Sequence, residues 1–426
     1  MSSSQTAGVA VNGAAAAPVG AQELLLRLVG AALQLFSTWA VVHSLSVEAT
    51  GTYFRGVVIA VGMAALLRGK YEIYLAYHII SRRSAAGGVS DGCLLMQLGR
   101  RVLLRAAVIC GLLLVITADV DIQAPRFQPV LETYLPFVLA IPFVSLSTLI
   151  GEALRAGNRA LGGTVLTSYA LNASMLLAVA LTPRGASPAL YSWLFLAASA
   201  LSALLALALA RRAFPARLAE GSKPLCREMF AAADVREWMG LSRALLLWGP
   251  LCLLAAWASA LQMAQYAVAS RTALIMDFLL PALNLSGGPE MAGAADASLM
   301  KGRSLMAQLR RSLLYSAAFS AALIFVAPAT FALYGSPYDA QWTVYTLLLA
   351  AQWANGVGRP AIRYLVARWD SHLVARTLGA AALATVLLCT VGFPRFGVLA
   401  AAAATLIGAL AVNARAIVAS LGRAQT

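Results

Sequence analysis

Apolar stretches long enough to cross a membrane recur along nearly the entire chain, and this repetition limits the possible folds more than any other feature. A helix rises 1.5 Å per residue, so about twenty residues span a hydrocarbon core of about 30 Å. Scanning with a window of about 19 residues gives twelve such spans: 21 to 44, 52 to 76, 100 to 119, 131 to 153, 163 to 183, 188 to 210, 240 to 261, 264 to 286, 311 to 333, 341 to 362, 373 to 392 and 396 to 418. Runs such as those at 170–181 and 399–412 are rich in helix formers and lack the period-two alternation of a barrel strand. The expected class is all-α, a polytopic membrane protein.

Composition excludes the soluble alternative. Of 426 residues, 61% are hydrophobic and 12% charged, and the mean hydropathy is +0.78. Such a chain has too little polar surface to cover itself in water. The net charge of +15 would suggest nucleic acid in a soluble protein, but here it follows topology. With the N-terminus inside, twenty-five Lys and Arg flank the spans on the inner side, and only Arg126, Arg184 and Arg395 lie on the outer side. That asymmetry is the positive-inside pattern. It puts both termini in the cytoplasm and leaves no reason to expect a nucleic-acid partner. Residues 1–20 contain no Lys or Arg, so they lack the basic start of a signal peptide and read as a disordered cytoplasmic tail.

The longest polar connection, 211–239, separates an N-terminal six-helix lobe (21–210) from a C-terminal one (240–426). An even number of spans returns the chain to the same side, so a parallel repeat is expected. The five cysteines form no CxxC pair, and His43, His78 and His372 show no metal-ligand spacing. Walker, GxSxG and HExxH motifs are missing too. The sequence therefore predicts no metal, no cofactor and no enzymatic site.

Four arginines remain once the topology set is removed: Arg27, Arg55, Arg271 and Arg359. A charge in hydrocarbon costs at least about 2.5 kcal/mol, so such residues usually face a wet cavity or a partner. Guanidinium groups suit phosphate because their planar fork donates paired hydrogen bonds and stays charged. Competing readings are a local Glu23–Arg27 pair at i,i+4 spacing and an Arg55 that snorkels to the surface. In the eighth span Gln262, Tyr266, Ser270 and Asp277 form a polar stripe, read as a cavity face. Asp277 is either a coupling carboxylate or the partner of an arginine on another helix. Pro281 should kink this helix, while Gly358 and Pro360 in the tenth span mark a hinge or a close helix contact.

VEATGTYF at 47–54, the segment at 267–292 around Arg271 and Asp277, and the glycine-aromatic turn with Asn-x-x-Gly-x-Pro at 332–367 together resemble the MOP exporter superfamily, in particular its polysaccharide flippase branch. The resemblance covers nearly the whole chain. It implies two six-helix lobes around a central cavity, with alternating access that moves a polyprenyl-diphosphate-linked oligosaccharide across a bacterial inner membrane for exopolysaccharide or O-antigen synthesis. In that branch, arginines at the positions of Arg27, Arg55 and Arg271 meet the diphosphate. Implied partners are the lipid-linked oligosaccharide, membrane lipids and polysaccharide polymerase or export machinery. The chain lacks both the extra helix pair of peptidoglycan-precursor flippases and an acidic cluster in the first lobe. A cation-coupled drug antiporter is the alternative, and a membrane polymerase or assembly subunit stands behind it.

Overall fold

The computed structural model describes residues 19–82, 91–123, 130–157, 159–183, 187–214, 234–278, 302–339, 341–367 and 371–425. Among these residues every regular element is helical. The first half contains α1 (Val19–Ser44), α2 (Val47–Arg82), α3 (Asp91–Gln123), α4 (Val130–Ala156), α5 (Ala160–Thr164) and α6 (Ala170–Ala180), with a π-helical turn (Val165–Tyr169) between the last two, and α7 (Pro188–Ala213). The second half contains α8 (Asp234–Trp257), α9 (Ala260–Ala273), α10 (Gly302–Tyr334), the short α11 (Ser336–Asp339), α12 (Trp342–Ala367), α13 (Ser371–Phe396) and α14 (Val398–Gln425). With α5, the π turn and α6 counted as one pass, each half makes six passes, and the described chain starts and finishes at the same end of the bundle.

Nine of the passes are long and apolar enough to cross a membrane by that measure alone. The other three, α3, α9 and α12, carry arginines within their length, and α9 is only 14 residues long. Several helices outrun the expected spans: α2 continues to Arg82, and α10 begins at Gly302. Hydropathy detects only the part of a helix within hydrocarbon, whereas the backbone goes on pairing beyond it. The side chains are arranged inside out relative to a soluble protein. Phe325 is 86% exposed and Val391 74%, while Thr38, Ser145, Ser199 and Thr385 are buried. This is a multi-pass membrane protein.

Packing divides the bundle along its axis. Away from the termini, one apolar core takes in both halves, from Phe54, Phe137 and Phe195 to Leu254, Tyr266, Tyr345 and Ala401. Toward the termini it splits in two. One core, around Leu75, Leu98, Leu149 and Ala206, belongs to the first lobe; the other, around Met239, Leu305, Tyr364 and Val374, belongs to the second. The lobes are thus joined at one end of the bundle and separately packed at the other.

Helix α2 carries the principal junction. Gly51, Gly62 and Gly69 lie 11 and 7 residues apart, which puts all three on one face at about 100° per residue. A Cβ added at Gly51 would sit 1.8 Å from the carbonyl oxygen of Ala260; at Gly62 it would be 3.0 Å from Cys252 Sγ, and at Gly69 2.8 Å from the Gly240 carbonyl oxygen. The glycines therefore let α2 run backbone-close to α8 and the start of α9, as small residues do in membrane helix pairs. Gly51→Leu should cost about 1–3 kcal/mol through overpacking, read as a lower unfolding temperature in detergent. Gly111→Leu, whose added Cβ would meet nothing within 4 Å, should leave that temperature unchanged.

Candidate functional site

Helix α9 opens with a capping box. The Ser259 hydroxyl accepts from the Gln262 amide, and the Gln262 side chain accepts from the Ser259 amide. The helix therefore begins at Ala260, before the expected span, and Gln262 closes its N-terminus. Tyr266 is 1% exposed and belongs to the apolar core. The polar stripe is accordingly divided among tasks: of its members, Gln262 caps, Tyr266 packs, Ser270 is buried and Asp277 reaches another helix. Regular α9 ends at Ala273, with a turn at Leu274 before a further helical stretch through 278. Pro281 lies outside the described residues.

Arg271 occupies the last turn of α9 and connects the lobes. Its Nη1 is 3.5 Å from Thr38 Oγ1 on α1, and its guanidinium lies 4.9 Å from the centroid of the Phe54 ring on α2. The second contact is a cation–π arrangement. Gln34 of α1 donates from Nε2 to the Arg271 carbonyl oxygen at 3.1 Å. Among the described residues, no carboxylate pairs with Arg271. Arg55 also crosses between lobes, with Nη2 donating to the Ala258 carbonyl oxygen at 2.5 Å. It ties α2 to the end of α8 at the joined end of the bundle.

Arg27 occupies a different level. It precedes Thr38 by eleven residues on the same helix, about 16 Å along the axis, so it is remote from the contact that Thr38 makes with Arg271. The three arginines singled out in the sequence do not converge on one point. Arg27 is buried and lies near Tyr169 of the π turn. The ring of Tyr169 sits against Gly30, where an added Cβ would be 2.7 Å from Cε1. For Glu23, the structure describes the backbone alone, within α1.

Asp277 has a partner on another helix. Its Oδ1 accepts from Arg359 Nη2 of α12 at 2.5 Å. Arg363 lies one turn further along α12, where the charges of Arg359, Arg243 and Arg27 act on it. Arg243 and Arg363 had been absorbed into the positive-inside count. Their place near Arg359 comes from helix packing, for which the sequence carried no signal except the four-residue spacing of Arg359 and Arg363.

The glycine and proline of α12 sit in an unbroken helix, Trp342–Ala367, which continues through Pro360. Gly358 makes room for Asn413 of α14: an added Cβ would be 2.0 Å from Asn413 Oδ1. Asn413 in turn donates to Asn355 Oδ1 at 3.0 Å. No group of three or more His, Cys, Asp or Glu residues suited to a metal occurs among the described residues.

Neither a scan against protein-family models nor a search of curated proteins finds a match. Solved structures do match over almost the full length. A lipid II flippase MurJ in an inward closed conformation is 12% identical, with 95% of this chain and 87% of that one covered at a TM-score of 0.69. The MATE multidrug transporter DinF-BH is 13% identical, with 95% of both chains covered at 0.67. A MOP-superfamily transporter from Pyrococcus furiosus is 11% identical, covering 95% of this chain and 94% of that one at 0.66. This chain has the MOP-transporter fold. The expected class, twelve helices in two six-helix lobes, is the one observed.

Gly358→Ala should destabilise this MOP-type fold by about 1–3 kcal/mol, because the methyl group overlaps Asn413. Asn413→Ala in the same protein should recover part of that loss, as measured by thermal unfolding of single and double variants. Additive losses would mean the two residues are not in contact.

Proposed function

We propose that the protein is a flippase that carries a polyprenyl-diphosphate-linked oligosaccharide across the inner membrane for exopolysaccharide or O-antigen synthesis, by alternating access of its two lobes. One observation carries this reading: the Arg271 guanidinium is held between the lobes by Thr38 and Phe54, with no described carboxylate to neutralise it. Such a group draws an anion, and its planar fork fits phosphate oxygens. The diphosphate would meet Arg27 and Arg271 in succession along α1 and α9. Arg55 would join once its bond to the Ala258 carbonyl is released as the joined end opens. The saccharide would travel in the wet cleft, with the lipid tail left in the bilayer between the lobes.

This reading is favoured over a cation-coupled drug antiporter. Asp277 is already paired with Arg359, and in the first lobe Glu152 is paired with Arg155 at 2.7 Å. Polysaccharide polymerase and export machinery are the partners this reading implies, in a membrane where both termini face the cytoplasm.

Arg271→Ala should abolish polymer export and leave the folded yield intact. A strain carrying it should accumulate lipid-linked oligosaccharide on the cytoplasmic face, as a deletion strain would. Normal export in that strain would remove Arg271 from the site and the proposed function with it. Arg271→Lys keeps the charge but loses the fork, so partial export is expected.

A further inference from the structure

The joined and divided cores assign a level to every charged group between the lobes. Arg271 and Arg55 act where the lobes share one core. Arg27, Arg243, Arg359 and Arg363 lie nearer the termini, where the first lobe packs around Leu75 and Leu149 and the second around Met239 and Tyr364. Depth along the helices agrees. Counting from the ends remote from the termini, Arg27 is 17 residues from Ser44 and Arg359 is 17 from Trp342, each about 25 Å along its helix, and Asp277 bonds Arg359 at that level. Arg27, Arg359 and Asp277 thus lie at one level of the bundle, where Asp277 is bonded to Arg359. Arg359 and Arg363, four apart on α12, share a face.

This arrangement is unlike a fringe of topology-setting arginines, which point into water separately. The side chain of Arg359 is only 20% exposed and held by Asp277, whose own side chain is 45% exposed. Arg363 lies one turn further along the same face of α12, and the charges of Arg359, Arg243 and Arg27 act on it. Arg359 and Arg363 lie toward the divided end of the bundle, through which a ligand from the cytoplasm would arrive. A multiply charged oxyanion entering there meets the forks of Arg359 and Arg363, and the Asp277 carboxylate is attached to an arginine that the oxyanion can itself engage.

We propose that Arg359 and Arg363, one turn apart on one face of α12, form a vestibule subsite for a diphosphate group, and that Asp277 is the built-in anion that the diphosphate displaces from Arg359. The inference deepens the proposed function and rests on it. It adds a receiving position ahead of Arg271. Displacement leaves Asp277 repelling the bound diphosphate, and re-pairing of Asp277 with Arg359 favours its departure toward Arg271. The carboxylate thereby keeps the vestibule from holding the substrate too firmly to release it.

The test is equilibrium binding to the full-length protein in nanodiscs of neutral lipid, with inorganic diphosphate and undecaprenyl diphosphate as separate probes. Asp277→Asn removes the competing anion and should tighten binding of both probes, while Arg363→Gln should weaken it about tenfold, the loss of one charge-assisted contact. Arg363→Gln breaks no described ion pair, so it keeps the test available if the Asp277 variant does not fold. Competition between the two probes supports a lipid headgroup as the natural occupant; lack of competition overturns that assignment. Binding that is indifferent to Arg363→Gln, or unchanged or weakened by Asp277→Asn in folded protein, overturns this inference while the proposed function stands. A wild-type protein that binds neither probe overturns both.

Discussion

A guanidinium group cannot rest in hydrocarbon without water, an anion or a polar partner, and that constraint organises this protein. The lipid-facing surface is apolar, with Phe325 and Val391 turned outward. Two of the arginines within the bundle, Arg271 and Arg55, lie where the two lobes meet. Arg271 lies on one lobe and is held by side chains of the other. Arg55 crosses in the opposite sense to a backbone carbonyl, and Arg359 has Asp277. Because each solution depends on how the helices are apposed, any movement of the lobes has to renegotiate these contacts. The coupling between charge and shape in this fold is therefore built from the cost of burying charge.

The second organising element is the α2 seam. Its glycines allow backbone-close approach to α8 and α9, so the lobes meet there over nearly the length of a pass. Elsewhere the apolar core divides toward the termini. The close junction on one side and the separate cores beyond it divide the bundle into two packing units joined at one end. The interruption of α9 at Leu274 falls between Arg271 and Asp277. It lets one chain segment serve both levels of the cleft.

Much of this was legible from hydropathy and charge. The number of passes and their pairing into two halves required only the lengths of apolar runs, and the lone arginines stood out because a charge in such a run demands an explanation. What was illegible depended on rotation and register. Gln262 looked like a cavity residue until the α9 start moved to Ala260 and made it a cap. Tyr266 shared its stripe but faced the core. Gly358 and Pro360 left a hinge and a close helix contact open, and rotation of α12 decides that Gly358 admits Asn413. Arg243 and Arg363 were indistinguishable from topology-setting residues, because the positive-inside count records which side of the membrane a charge lies on and is blind to what it faces.

The sequence alone determined that this chain lies in a membrane as an all-helical bundle, and it marked Arg27, Arg55, Arg271 and Arg359 as charges in unusual places. These outcomes follow from one-dimensional quantities: run length, charge sign and the spacing of a helix. Only the tertiary structure decided that the arginines stand at two levels, that Asp277 belongs to Arg359, and that α2 carries the junction between lobes. Those depend on the rotation of each helix about its axis and on its sliding past its neighbours, which arise from packing among residues hundreds of positions apart and leave no periodic trace in the chain.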